Sequence, residues 1–177
     1  MDLIKFDGND TVYDDYYMRG IFQMTVWLRT KANSLDSDHH TKISCYFDSD
    51  IDYFHNEISN LQKLTERGCD FAPKYISSRI VVSGTYTTKK HNNVLSFSIT
   101  EIVMEKIKGV TVKELIGCEI GSHFPKSIPD KYIGLRSEIE RVYYQLEHIY
   151  NIKYSDKHSG NVMVDDNGYV FVIDFEV

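Results

Sequence analysis

Asp156, Asn161 and Asp174 are the residues of this chain whose types and spacing best suit chemistry. They share one 24-residue stretch, YSDKHSGNVMVDDNGYVFVIDFEV, from Tyr154 to Val177. Asp156 precedes Asn161 by five residues, and Asp174 follows Asn161 by thirteen. The apolar runs NVMV and YVFVID bracket DDNG, a tight-turn signal that predicts a hairpin. A hairpin folds back, so Asp174, at the end of its second strand, is expected to return towards the loop carrying Asn161. Two carboxylates and an amide oxygen would then converge. Such a set suits a hard cation like Mg2+, which prefers oxygen ligands and keeps waters for a phosphate to share. Asp165 and Asp166 are assigned to the turn alone.

Other elements must hold these residues in place. A long helix is expected from Lys131 to Tyr150, with Leu135, Ile139, Val142, Leu146 and Ile149 as its apolar stripe. Earlier, DYFHNEISNLQKLTERG predicts a helix on the spacing of Phe54, Ile58, Leu61 and Leu64, with Gly68 as its stop. Glu57 falls on or beside that stripe, where a charged group needs a partner. IFQMTVWLRT (Ile21 to Thr30) and TKISCYF (Thr41 to Phe47) read as strands. The segment from Arg79 to Ile107 reads as two strands joined by a turn at KKHNN. VKELIG reads as a short helix after Gly109, and Pro125 and Pro129 mark a loop. The order is strands, helix, strands, linker, helix, hairpin.

The totals exclude several classes. A length of 177 residues suits one domain or two small lobes. With 42% hydrophobic and 13% aromatic residues the chain can build a core. A formal charge of −6 with scattered Lys and Arg argues against a nucleic-acid groove and against anionic membranes. Trp27 and the many tyrosines therefore read as core and surface residues, not base-stacking platforms. Cys45, Cys69 and Cys118 form no CxxC pair or zinc pattern and read as reduced thiols. The opening MDLIKFDGND resembles neither a signal nor a transit peptide, and no apolar run approaches the ~20 residues that span a bilayer. A cytoplasmic or nuclear location is expected.

DKHSGN resembles the catalytic loop of the protein-kinase-like superfamily, which includes protein kinases and aminoglycoside-type phosphotransferases. IDFE resembles the metal-binding segment of the same superfamily. His158 and Gly160 fit the D-x-H-x-G-N form found in small-molecule and atypical kinases, and His158 reads as a loop brace without a titrating role. FHNEISNLQKL resembles the lobe-spanning helix, IVMEKIKGVTVKELI the hinge, and VYYQLEHIYNI the helix that enters the catalytic loop. The resemblance runs from about Lys42 to Val177.

It implies an α+β, two-lobed fold with a truncated C-terminal lobe. Residues 1–108 would form a β-rich N-terminal lobe with one helix, and 109–177 a minimal helical lobe with the catalytic-loop hairpin. It implies Asp156 as catalytic base, Asn161 and Asp174 as metal ligands, and Glu57 as partner of a strand lysine. Lys42, fifteen residues before Glu57, fits that lysine, with Arg29 and Lys31 as competitors. Backbone groups from Glu105 to Ile107 would meet an adenine ring. The implied function is ATP- and Mg2+-dependent phosphoryl transfer to an alcohol group, with a protein partner completing the site or presenting the acceptor.

The chain departs from the pattern in four ways. It has no G-x-G-x-x-G loop, only isolated Gly8 and Gly20. Tyr154 stands where the family usually has His, and Glu176 where it has Gly. No activation segment follows Asp174. These departures support a rival expectation, a catalytically inactive pseudokinase or partner-binding module. A third is a fragment of a longer kinase.

Overall fold

Two small antiparallel sheets and three helices form the described part of this mixed α+β protein. The computed structural model describes Thr25, Leu28 and residues 38–47, 50–87, 94–117 and 124–176. Gly8, Gly20, Trp27, Arg29, Lys31, the KKHNN turn and Cys118 lie outside these residues. The chain divides into two compact units, one of residues 1–55 and 76–104, the other of 56–75 and 105–177.

The first unit holds a three-stranded sheet in the order β1 (His39–Phe47), β3 (Val94–Glu105), β2 (Tyr75–Thr87). Along β3, Phe97 and Ile99 are buried at one parity of the strand and Thr100, Ile102 and Met104 at the other, with half-buried residues at 98, 101 and 103, so each face of the strand is covered over part of its length. Ile43, Phe97 and Ile99 form a core, and Leu28, Cys45, Phe47 and Val82 pack against it. Across the β2–β3 pair, Arg79 Nε meets Glu101 Oε1 at 2.7 Å. Within Ile21–Thr30, where a strand is expected, Thr25 and Leu28 are helical instead, and the other residues of that stretch lie outside the described ones. Thr25 is buried and Leu28 reaches the core. The β-branched residues with partial alternation in this stretch conceal the helical state of these two residues.

The second unit begins inside helix α1 (Ile51–Glu66), from Asn56 onwards. Leu61 and Leu64 are buried, and so is Glu57. The helix ends in a Schellman motif: Cys69 N–H donates to the Leu64 carbonyl at 2.9 Å and Gly68 N–H to the Thr65 carbonyl at 3.1 Å. Gly68 takes φ 64°, the left-handed region where a side chain is costly. Cys45 and Cys69 are free thiols, and burial pushes both above the usual thiol range.

Three short strands make the second sheet: β4 (Gly109–Thr111), β5 (Val162–Asp165) and β6 (Val170–Val172), in that order and antiparallel. β5 and β6 are the expected hairpin, and Asp165 holds its turn by accepting from the Asn167 and Tyr169 N–H groups at 2.9 and 2.8 Å. β4 runs directly into α2 (Val112–Ile116), which opens with a capping box between Thr111 and Glu114. The long helix is shorter than expected. A 3-10 turn over Asp130–Tyr132 precedes α3 (Ile133–His148). Ile139, Val142, Tyr143 and Leu146 form its buried face. Ile149 lies past its end and is exposed. No described helix is long and apolar enough to cross a membrane.

Gly109 is where this sheet is least tolerant. A Cβ there would run into the Val164 carbonyl of the neighbouring strand, a backbone group that moves only if the β4–β5 ladder moves. Gly109→Ala is therefore expected to destabilise the protein by about 1–3 kcal/mol. A urea melt checks this: the midpoint should fall, whereas Gly134→Ala, whose Cβ meets nothing within 4 Å, should leave it unchanged or raise it.

Candidate functional site

The candidate site is assembled entirely within the second unit. Where α3 ends, Asn151 turns the chain with a left-handed φ of 54°. Ile152 N–H then bonds back to the Leu146 carbonyl at 2.9 Å, and Ile152 and Tyr154 are buried. Buried Ser159 ties the following loop down, its carbonyl accepting from the first-turn N–H of Lys113 in α2 at 3.1 Å. Between these anchors the loop presents Asp156 outward, with 60% of its side chain exposed.

Asn161 is buried at the far end of the loop. Its Nδ2 donates to Asp156 Oδ2 at 2.9 Å and reaches the Asp156 carbonyl at 3.3 Å. The same carboxylate oxygen lies 3.3 Å from His158 Nε2. An amide whose nitrogen faces Asp156 keeps its oxygen for another partner.

Asp174 lies two residues beyond the end of β6, not on the strand. It is a non-glycine residue at φ 67°. Such a conformation persists only when its surroundings impose it. Here they do so on both sides. Ile173 N–H donates to the Asn161 carbonyl at 2.9 Å, and the Ile173 carbonyl accepts from the Tyr154 hydroxyl at 2.7 Å. Phe175 N–H donates to Glu57 Oε1 at 3.4 Å, and the Phe175 carbonyl accepts from Asn60 Nδ2 at 3.2 Å. The Phe175 ring is fully buried and meets Tyr154 edge-on at 5.5 Å.

Asp156, Asn161, Asp174 and Glu57 all lie in the second unit, where backbone bonds link Asn161 to Ile173 and Glu57 to Phe175 on either side of Asp174. Glu57, Asp174 and Glu176 each place a carboxylate oxygen within 4.8 Å of the others. Glu57 is buried, the other two half-buried. Acidic oxygens at that separation fit a hard divalent cation. Lys42 lies on β1, in the first unit, and is half-buried and engaged. Glu105 closes β3 with its N–H on the Lys74 carbonyl at 2.9 Å, and Ile107 follows, half-buried, in the connection to β4. A cavity of about 470 Å3, bounded by Phe71, Arg141, Tyr150 and Phe171 among others, shares no residue with this site.

Three contributors escaped the sequence reading. Asn60 is one turn along α1 from Glu57, a spacing that offered the signal. Glu176 shows in the sequence only as a departure from the Gly of the family pattern. Tyr143 adjoins Val142 of the apolar stripe and carries no local signal of its own. Its ring stacks on Tyr154 at 5.6 Å, with Lys157 Nζ 5.0 Å above it. Its hydroxyl is buried with no hydrogen-bond partner among the described residues. Comparison with protein-family models and with curated proteins gave no match.

Burial raises the Tyr143 phenol well above the usual tyrosine range, and the nearby Asp156 carboxylate adds to this. Burial also raises Tyr154, reinforced by Tyr143, Asp174 and Asp156, against a hydrogen bond with Asn161. The two stacked phenols should respond oppositely to loss of their hydroxyls. Tyr154→Phe abandons the Ile173 carbonyl and is expected to cost about 1–2 kcal/mol. Tyr143→Phe removes an unpartnered group and should be neutral or stabilising by up to about 1 kcal/mol. Both phenols remain neutral in the folded protein where unfolded tyrosine ionises. Their contribution is therefore complete below about pH 10 and is lost as pH rises above it, by about 1.4 kcal/mol per pH unit for each phenol. Urea melts at neutral and alkaline pH check both points, and Tyr143→Phe should flatten the alkaline loss.

Proposed function

We propose that this chain is an ATP- and Mg2+-dependent phosphotransferase of the protein-kinase-like superfamily, with a two-lobed fold, acting on an alcohol group of its acceptor. The observation that carries this reading is the bond from Ile173 N–H to the Asn161 carbonyl, which joins the loop motif to the IDFE segment. It supports the reading because it sets two sequence features separated by a hairpin side by side.

The roles follow from the chemistry of each group. Asp156 offers an exposed carboxylate that can accept a hydrogen bond from an acceptor hydroxyl and take its proton. Asn161 and Asp174 would hold the cation, with Glu176 close by. Mg2+, when bound, neutralises charge on the phosphates. Glu57 steadies the backbone after Asp174 through the Phe175 N–H. Tyr154, where the family usually has His, donates to the backbone before Asp174. The resemblance assigns Lys42, and the backbone from Glu105 to Ile107, to the nucleotide. Catalysis of this kind is mostly positioning and charge stabilisation, so few groups suffice.

Glu176 favours a second reading, a non-catalytic module. Its carboxylate adds a third negative charge beside Glu57 and Asp174, and that cluster repels phosphate unless a cation balances it. Thermal melting with nucleotide and metal, followed by transfer assays, separates the two. At 100 times Kd, ATP with Mg2+ should stabilise the protein by about 2.7 kcal/mol, and ATP with a chelator by much less. Asp156→Asn should keep that shift and lose about 10²–10⁴-fold in turnover. Asp174→Asn should lose the shift itself. A metal-dependent shift without phosphate transfer to any acceptor supports the non-catalytic module. No shift with either addition contradicts both the metal ligands and the nucleotide.

A further inference from the structure

Gly160, His158 and Asp156 form a relay of contacts that the roles above leave unused. Gly160 N–H donates to His158 Nδ1 at 3.1 Å. A ring nitrogen that accepts a hydrogen bond carries no proton, so the neutral ring keeps its proton on Nε2. That nitrogen lies 3.3 Å from Asp156 Oδ2. The same oxygen takes the Asn161 amide at 2.9 Å. The Asn161 amide therefore donates to Oδ2, and the His158 ring N–H faces the same oxygen at ion-pair distance.

The side chains differ sharply in exposure, 20% for His158 and 60% for Asp156. An exposed carboxylate rotates about its terminal torsion, which has broad wells. An amide donor on one oxygen, with a ring N–H facing that same oxygen, restricts the rotation and orients the carboxylate. Gly160 also makes room for the ring. A Cβ there would stand 3.1 Å from both His158 Cε1 and Nδ1, so the ring would have to yield by a few tenths of an ångström.

We infer that His158 is a positioning residue for Asp156: seated on the Gly160 N–H, it pins Oδ2 and leaves Oδ1 to the acceptor hydroxyl. This rests on the phosphotransferase reading, because it names what Asp156 is positioned for. The alternative is a brace for the loop, in which the Gly160 bond matters and the Asp156 contact does not. The two have different conservative substitutes. Glutamine can extend an amide N–H to where Nε2 stands but gives up the acceptor near Nδ1. Asparagine can offer an oxygen near Nδ1 but falls short of Asp156.

The test combines kinetics with a spectroscopic readout on the full chain. Steady-state phosphate release from Mg2+–ATP, with water as acceptor, is measured for wild type, His158→Gln, His158→Asn and Gly160→Ala. Melting temperatures confirm that each variant is folded. His158→Asn should lower kcat about 10- to 100-fold with KM for ATP unchanged, the size expected for misplacing a reacting group. His158→Gln should stay within about threefold of wild type, and Gly160→Ala should fall between. In 15N spectra His158 should be the Nε2–H tautomer, and Asp156→Ala should move its Nε2 signal. Retained kcat in His158→Asn with loss in His158→Gln, an Nδ1–H tautomer, or an Nε2 signal indifferent to Asp156→Ala would each overturn the inference. If wild type releases no phosphate to water and transfers none to the acceptors tested above, the phosphotransferase reading fails by itself. The tautomer and the Nε2 response then still decide whether His158 engages Asp156.

Discussion

The left-handed backbone at Asp174 is the constraint on which the candidate site depends. A non-glycine residue there costs about 1–2 kcal/mol, and the chain adopts it only if other interactions leave no choice. Four hydrogen bonds flank it, two on Ile173 and two on Phe175. Each contributes about 0.5–1.5 kcal/mol net, enough together to outweigh the strain. Their partners come from two places far apart in sequence, the loop at Tyr154 and Asn161 and the helix at Glu57 and Asn60. Burial of the Phe175 ring against Tyr154 completes the clamp.

The rest of the second unit sets up this meeting. The β5–β6 hairpin pairs Val162 with Val172, which places Ile173 opposite Asn161 just beyond the ladder. Val172 N–H also bonds to the Phe71 carbonyl at 2.9 Å, tying β6 to the segment that follows α1. The Schellman turn at Gly68 directs the chain into that segment. β4 supports the other side of the hairpin and leads into α2, whose Lys113 N–H holds the Ser159 carbonyl. Glu57 is tolerated in a buried position because the clamp supplies it with a donor.

Much of this was legible in the sequence where the signal was local. The DDNG turn between two apolar runs fixed the hairpin's place, and the hairpin alone argued that Asp174 returns to Asn161. The Phe54, Ile58, Leu61 and Leu64 spacing gave α1 and put Glu57 on its covered side. What escaped depends on contacts distant in sequence. Nothing local marks the Tyr154 hydroxyl as partner of the Ile173 carbonyl, or Asn60 as partner of Phe175. The helical state of Thr25 and Leu28 was hidden because β-branched residues suit either structure until packing decides. Ile149 extends the helical stripe in sequence, yet the backbone turns at Asn151 and leaves it exposed.

Amide hydrogen exchange at Ile173 and Phe175 tests the clamp most directly. Both N–H groups have partners in the folded chain, Asn161 and Glu57. The account predicts slow exchange at both in the wild type. In Glu57→Ala, exchange at Phe175 should accelerate while the amides of α3 keep their protection, showing a local release and not a global loss of structure. Unprotected exchange at Phe175 in the wild type, or protection there that survives Glu57→Ala unchanged, would contradict it.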